Sequence, residues 1–196
     1  MQINFLKIKF LLIFLILSTP KVNANKIENA ENFVENISSE ILILLDQEIS
    51  NEQKRLLFSD LLNKYADRNT ISRAALGRPW RDLNVIQKKQ FVIAFQNYIS
   101  KKYSLQFEEF KGATMKIVKS TDAGKRGILV KTRFLMLGTS PISISWQVWS
   151  KREELKLLDI IVEDISMLTM EREEIKNQLN KLNGNTIELI KQLNNY

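Results

Sequence analysis

The chain has 196 residues, 44% of them hydrophobic, and a net charge of +7 from 29 lysines and arginines against 22 aspartates and glutamates. It contains no histidine and no cysteine, which excludes a Ser-His-Asp triad, a cysteine nucleophile, histidine-ligated zinc or haem, and any disulfide. Carboxylate pairs and Ser-Lys chemistry stay open.

The N-terminus reads as a cleavable signal peptide at 1–24. Lys7 and Lys9 form a basic start, 10–17 is an unbroken apolar run, Pro20 breaks any helix, and Val22-Asn23-Ala24 offers the small residues of a cleavage site. The run is far shorter than the roughly 20 apolar residues that span a bilayer. Without cysteine, no lipid-modified residue anchors the cut end. Cleavage after Ala24 is expected to leave 172 residues at 25–196, one domain's worth of chain, and removes Lys7, Lys9 and Lys21, so that +7 falls to +4. Such a mild basic excess suits anionic lipid head groups or an acidic partner, and export argues against nucleic acid.

The exported part divides by hydrophobic period. Ile27, Ala30, Val34, Ile37, Ile41 and Leu44 fall at three- and four-residue spacing and predict a helix over 26–46. Ser50 with Gln53 forms a capping-box pattern before a second helix, which buries Leu56, Leu57, Leu61, Leu62 and Tyr65. A short helix at 69–76 meets Gly77 and Pro79. Asn84 with Gln87 then starts a long helix carrying Phe91, Ala94, Phe95, Tyr98 and Ile99.

Residues 113–119, 126–137, 141–150 and 154–164 are rich in β-branched and aromatic side chains and are separated by short turns, which predicts four antiparallel strands. One face carries Ile128, Val130, Thr132, Phe134 and Met136 on the second strand and Ile142, Ile144, Trp146 and Val148 on the third. The fourth strand is apolar on both faces, so it is expected to be central or doubly covered. Helices at 170–182 and 186–193, divided by Gly184, close the chain. Helices, then strands, then helices predict an α+β domain with helices packed on a curved, mainly antiparallel four-stranded sheet.

Periodicity does not distinguish a filled core from a sheet curled around an apolar pocket. Glu163 and Asp164 are adjacent and point to opposite faces of a strand, so they form no close catalytic pair. Asp159, set among apolar residues, reads as a satisfied hydrogen-bond acceptor or ion-pair partner. No catalytic constellation emerges.

The segment Leu76-Gly77-Arg78-Pro79-Trp80-Arg81, followed by Gln87, Gln90 and Phe91, resembles the MlaC family of periplasmic phospholipid-binding proteins. The end of the sheet, from Leu157-Leu158-Asp159 to Glu163-Asp164-Ile165-Ser166, is similar to the family's segment, as is the ending Gly184, Ile187, Leu189, Ile190. Asp164 stands where the family usually has glycine, Leu155 where many members have tryptophan, and Met170-Glu171 in place of Asn-Tyr, with Arg172 kept.

The resemblance implies a periplasmic carrier, neither enzyme nor cofactor-dependent. It would move phospholipid between an inner-membrane ABC-transporter complex with an MCE-type subunit and an outer-membrane lipoprotein complex. Lipid contacts are expected from Phe91, Phe95, Tyr98, Val130, Phe134, Trp146, Val148, Ile160 and Ile165, and partner docking from Arg78, Arg81, Lys101 and Lys102. Because each buried CH₂ contributes roughly 0.8 kcal/mol, an acyl chain of about 16 carbons gains on the order of 12 kcal/mol, enough for the head group to stay in water. The competing expectation is an adaptor with a solid core that binds proteins only. A glycan hydrolase would need two carboxylates converging roughly 5–9 Å apart, a pair the sequence does not offer.

Overall fold

The computed structural model describes residues 21–104, 106–151 and 154–196. The expected signal segment at 1–20 lies outside the described residues. The expected cut after Ala24 falls in the first turn of helix α1 (Lys21–Leu45).

Local signals set the helices. The α1 stripe is buried as spaced: Ala30, Val34, Ile37, Ile41 and Leu44 all lose contact with solvent. Ser50 and Gln53 close a reciprocal capping box on α2 (Asn51–Tyr65), and Asn84 and Gln87 do the same on α4 (Val85–Tyr103). Each satisfies N–H groups that a helix start otherwise leaves unpaired, at about 1 kcal/mol per cap. Between them, α3 (Arg68–Leu76) ends at Gly77, whose φ of 70° and ψ of −134° lie outside what side chains with a Cβ adopt readily, and the chain turns through a 3-10 segment at Arg78–Arg81.

Strands β1 (Thr114–Asp122), β2 (Ile128–Leu135), β3 (Ile142–Lys151), β4 (Glu154–Val162) and β5 (Ile165–Ser166) pair in sequence order, all antiparallel. The sheet has five strands rather than the four expected. Glu163 and Asp164 adopt φ of 46° and 65°, making a two-residue turn that ends β4 at Val162 and folds Ile165 back against it. Asp164 thus takes the left-handed conformation that a glycine would supply. The two-faced pattern of β4 also has a local cause. Trp146 pairs with Ile160 but Val148 with Leu157, so Leu158 is an extra residue in a bulge. The bulge shifts the alternation by one, which keeps Leu155 and Leu157 on the same core face as Ile160 and Val162.

Helix α5 (Met167–Lys181) starts three residues before the expected 170, because the Ser166 hydroxyl accepts from Thr169 N–H at 3.0 Å. After Gly184 comes α6 (Thr186–Asn195).

Two large apolar cores result, with a smaller third cluster of Leu44, Phe58 and Tyr103. One joins α1 to the concave sheet face through Val34, Ile37, Val130, Phe134, Trp146 and Val148. The other joins α3, α4, α5 and α6 through Leu76, Phe91, Phe95, Ile175, Leu189 and Leu193. Helix α2 bridges them. Its C-terminal side is fixed to the sheet by Asp67 N–H donating to Leu157 C=O at 3.0 Å. The Gln96 amide stitches it to α4, donating to Ser59 and Asn63 at 2.9–3.2 Å.

Candidate functional site

The junction of the two cores is not filled. An apolar cavity of about 120 Å³ lies between α2, α4, α5 and β4, walled by Phe58, Leu62, Ile71, Phe95, Ile99, Leu157, Leu158, Ile160, Met167 and Leu168. Two further spaces share its walls. A void of about 30 Å³ reaches past Phe58, Leu62 and Ile160 to Ile37, Ile41 and Trp146 under α1. A groove of about 370 Å³ runs past Tyr103, Val162 and Met167 to the surface at Gln106, Glu109, Ile165 and Met170. The three spaces adjoin through these shared walls, from beneath α1 to the surface beside the β4–β5 turn. At that mouth Ile165 is 56% exposed and Met170 is 47% exposed.

Polar side chains sit at two points of the wall. Asp159 lies on the β4 face opposite the sheet core. Its carboxylate accepts from Leu168 N–H at 2.9 Å and from the Ser166 hydroxyl at 2.5 Å, tying the start of α5 to β4. Burial pushes its carboxyl above the ordinary aspartate range, against the pull of those hydrogen bonds. It is the satisfied acceptor expected.

Glu171 is the second point, 3% exposed. Its Oε1 accepts from Lys102 Nζ at 2.7 Å and from the Tyr103 hydroxyl, and Lys102 also donates to the Tyr98 hydroxyl at 3.0 Å. Glu171 Oε2 is buried with no hydrogen-bond partner among the described residues. Burial pushes the Tyr98 hydroxyl up to about 12 and raises that of Tyr103 as well. Burial alone would lower the Lys102 ammonium, but hydrogen bonds from it to Glu171 and Tyr98 leave it raised.

The expected contact residues separate by position. Phe95 and Ile160 line the central cavity, Trp146 the void beneath α1, and Ile165 the mouth. Phe91 and Tyr98 belong instead to the helical core, in an aromatic series in which Phe91 stacks on Phe95 at 5.8 Å and Tyr98 meets Tyr196 at 4.7 Å. Val130, Phe134 and Val148 lie on the inward face of the sheet, but α1 and Phe110 cover them, so they form solid core. The cavity sits farther along the sheet, at β4, because α1 fills the space over β1 and β2.

Among the expected docking cations, Arg78 and Arg81 are exposed. Lys101 is exposed as well and donates to the Tyr196 main-chain oxygen, whereas Lys102 is paired with the buried Glu171.

Most of the wall went unnamed as a site in the sequence. Leu62 and Ile99 were legible only as buried helix faces. Glu171 carried a clearer signal: it heads the stripe Glu171, Ile175, Leu179 on α5, a carboxylate at an apolar position.

The family assignment rests on a match of the MlaC protein family to residues 35–195. The chain belongs to the MlaC family. No curated protein matches the chain. Among solved structures, it is similar to a phospholipid-binding protein from Ralstonia solanacearum determined in complex with a phospholipid. The TM-score is 0.71 at 16% identity, over 87% of this chain and 95% of the other. This MlaC-family chain therefore has that α+β fold, with its adjoining apolar spaces between the two large cores.

Proposed function

We propose that this MlaC-family protein is a phospholipid carrier that holds an acyl chain in a path between α2, α4, α5 and β4. The observation that carries the reading is the cavity itself: an unfilled space in the middle of the domain whose wall is almost entirely aliphatic and aromatic. Interiors normally pack without such voids, and an apolar space opening to the surface between Ile165 and Met170 favours an apolar guest that enters end first. The lipid-bound relative with the same fold supports the same guest.

No catalytic step is part of this reading. Asp159 is engaged with Ser166 and Leu168, and Glu171 with Lys102 and Tyr103. The carrier works in the periplasm after removal of the signal peptide. It takes lipid from one membrane complex and gives it to another, an inner-membrane ABC transporter with an MCE-type subunit and an outer-membrane lipoprotein complex. Arg78 and Arg81, on the exposed corner after α3, are the cations available for docking to acidic partner surfaces.

Native mass spectrometry of protein purified from membrane-containing cells tests the binding step. The expected spectrum carries the polypeptide plus the mass of one phospholipid, and bare polypeptide alone would refute it. Ile99→Glu places a carboxylate on the cavity wall at a half-buried position. It is expected to abolish lipid retention while circular dichroism stays unchanged. An adaptor with a solid core would lose nothing.

A further inference from the structure

We propose that the face of β1 and β2 turned away from α1 is a docking surface for an anionic phospholipid bilayer, built from Lys116, Lys119, Lys131 and Arg133. The pairing register sets these cations in two directly opposite couples, Lys116 with Arg133 and Lys119 with Lys131. A bulge at Val118 makes the second couple, because the extra residue brings Lys119 rather than Val118 to the same face as Lys116. Lys116, Lys119 and Arg133 are exposed, and Lys131 is half-buried. Like charges directly opposite on paired strands destabilise a sheet. An anionic surface laid over them removes that cost.

Nothing on these strands relieves the repulsion. β2 and β3 carry no Asp or Glu, and the one carboxylate of β1, Asp122, accepts from Gly124 N–H at 2.8 Å in the hairpin. On the next strand, Lys131 and Arg133 pair with Ser145 and Ser143. Among the described residues, none of the four cations forms an ion pair. Lysines on an edge strand also guard a sheet against pairing with another chain. That accounts for Lys116 and Lys119 only, since β2 lies inside the sheet and has no edge to guard. The make-up of the block favours lipid over protein. Protein interfaces centre on aromatic and apolar anchors and are poor in lysine, whereas an anionic bilayer attracts clustered Lys and Arg without any pocket. The block also adjoins the mouth of the apolar spaces. Arg133 pairs with Ser143, whose N–H donates to Glu163 in the turn beside that mouth.

The test sediments the protein, purified after export, with vesicles of phosphatidylcholine alone or mixed with phosphatidylglycerol, and measures bound protein. Wild type is expected to bind the mixed vesicles and not the neutral ones, and to come off as salt is raised. Lys119→Gln combined with Lys131→Gln is expected to weaken binding roughly 30-fold, the effect of two cations near an anionic surface. Its melting temperature should not fall, because the substitution removes a repulsion. Lys88→Gln combined with Lys89→Gln takes the same charge from α4 and is expected to leave binding unchanged. Equal losses in the two double variants would reduce the effect to net charge and overturn the docking surface. Wild type that ignores the mixed vesicles would overturn it too, leaving the block to an acidic protein. Should the Lys119 and Lys131 variant fail to fold, Lys116→Gln combined with Arg133→Gln carries the same expectation. Because bound protein is measured rather than bound lipid, the outcome does not depend on whether the cavity takes an acyl chain.

Discussion

Glu171 and Gly127 show how single residues hold this structure under opposite constraints. Glu171 is tolerated in an apolar wall because Lys102 and Tyr103 share its Oε1. This cluster has an alkaline limit. Burial holds the Tyr98 proton to about 12, whereas a tyrosine in an unfolded chain ionises near about 10. The native state therefore keeps a proton that the unfolded chain releases, and stability falls as pH rises through this range. The raised Lys102 acts in the same direction, since its ion pair is lost as the ammonium deprotonates. Chemical denaturation at stepped pH is expected to show a declining midpoint above about pH 10. In a Tyr98→Phe variant that decline should be shallower.

Gly127 opens β2 with φ of 83°, and a Cβ there would stand 2.1 Å from the Val148 carbonyl oxygen. The contact is with backbone of the neighbouring strand, so it cannot be relieved by a rotamer change. Gly127→Ala is expected to destabilise by about 3 kcal/mol or more, combining left-handed strain with a clash. A melting temperature within a few degrees of wild type would contradict this account of the hairpin.

At the scale of elements, the helix starts and the α1 face were legible because their signals are local, whereas the expected buried face of α2 was wrong at Leu56 and Leu57, which are 49% and 40% exposed while Phe58 is buried. The capping boxes at Ser50 and Asn84 and the stripe on α1 need nothing beyond neighbours in sequence. The sheet order was legible for the same reason, since short turns force antiparallel neighbours. What escaped was non-local. The bulge at Leu158 changes which β4 side chains face the core, and only pairing with β3 reveals it. Phe91 and Tyr98 lie on a continuous apolar face of α4, but that face is shared between the helical core and the cavity, and hydrophobic period does not divide it. Nor does it show that α1 fills the space over Val130 and Phe134. The element that holds the cavity shut is α5, whose start is fixed on β4 by Asp159. Asp159→Ala is expected to lower stability by about 1–3 kcal/mol, because it orphans the Leu168 N–H and removes the Ser166 partner. Amide hydrogen exchange should then quicken first in the opening turn of α5. Uniform acceleration across all helices would show that Asp159 has no local role.

The described residues hold two large apolar cores, a smaller third cluster and apolar spaces between them. The central cavity, at about 120 Å³, is smaller than the roughly 300–1,000 Å³ typical of ligand pockets. The widest part, about 370 Å³, lies at the mouth. Admitting a full acyl chain therefore requires the walls to part, and the two cores offer a natural line of separation along α2 and α5. Among the described residues, no helix is long and apolar enough to cross a membrane. The proposed carrier would grip the tail by burial and release it when the cores are drawn apart, which would make partner docking a means of lowering affinity.

The most direct measurement of this account is photocrosslinking with a phospholipid that carries a photoreactive group along its acyl chain, followed by peptide mapping. Labels are expected on the path, at Leu62, Phe95, Ile99, Leu158 and Met167, and fewer on the filled sheet core at Val130 and Val148. Labelling confined to the exposed apolar residues of α4, Val85, Ile86 and Ile93, with the cavity wall unmarked, would contradict it.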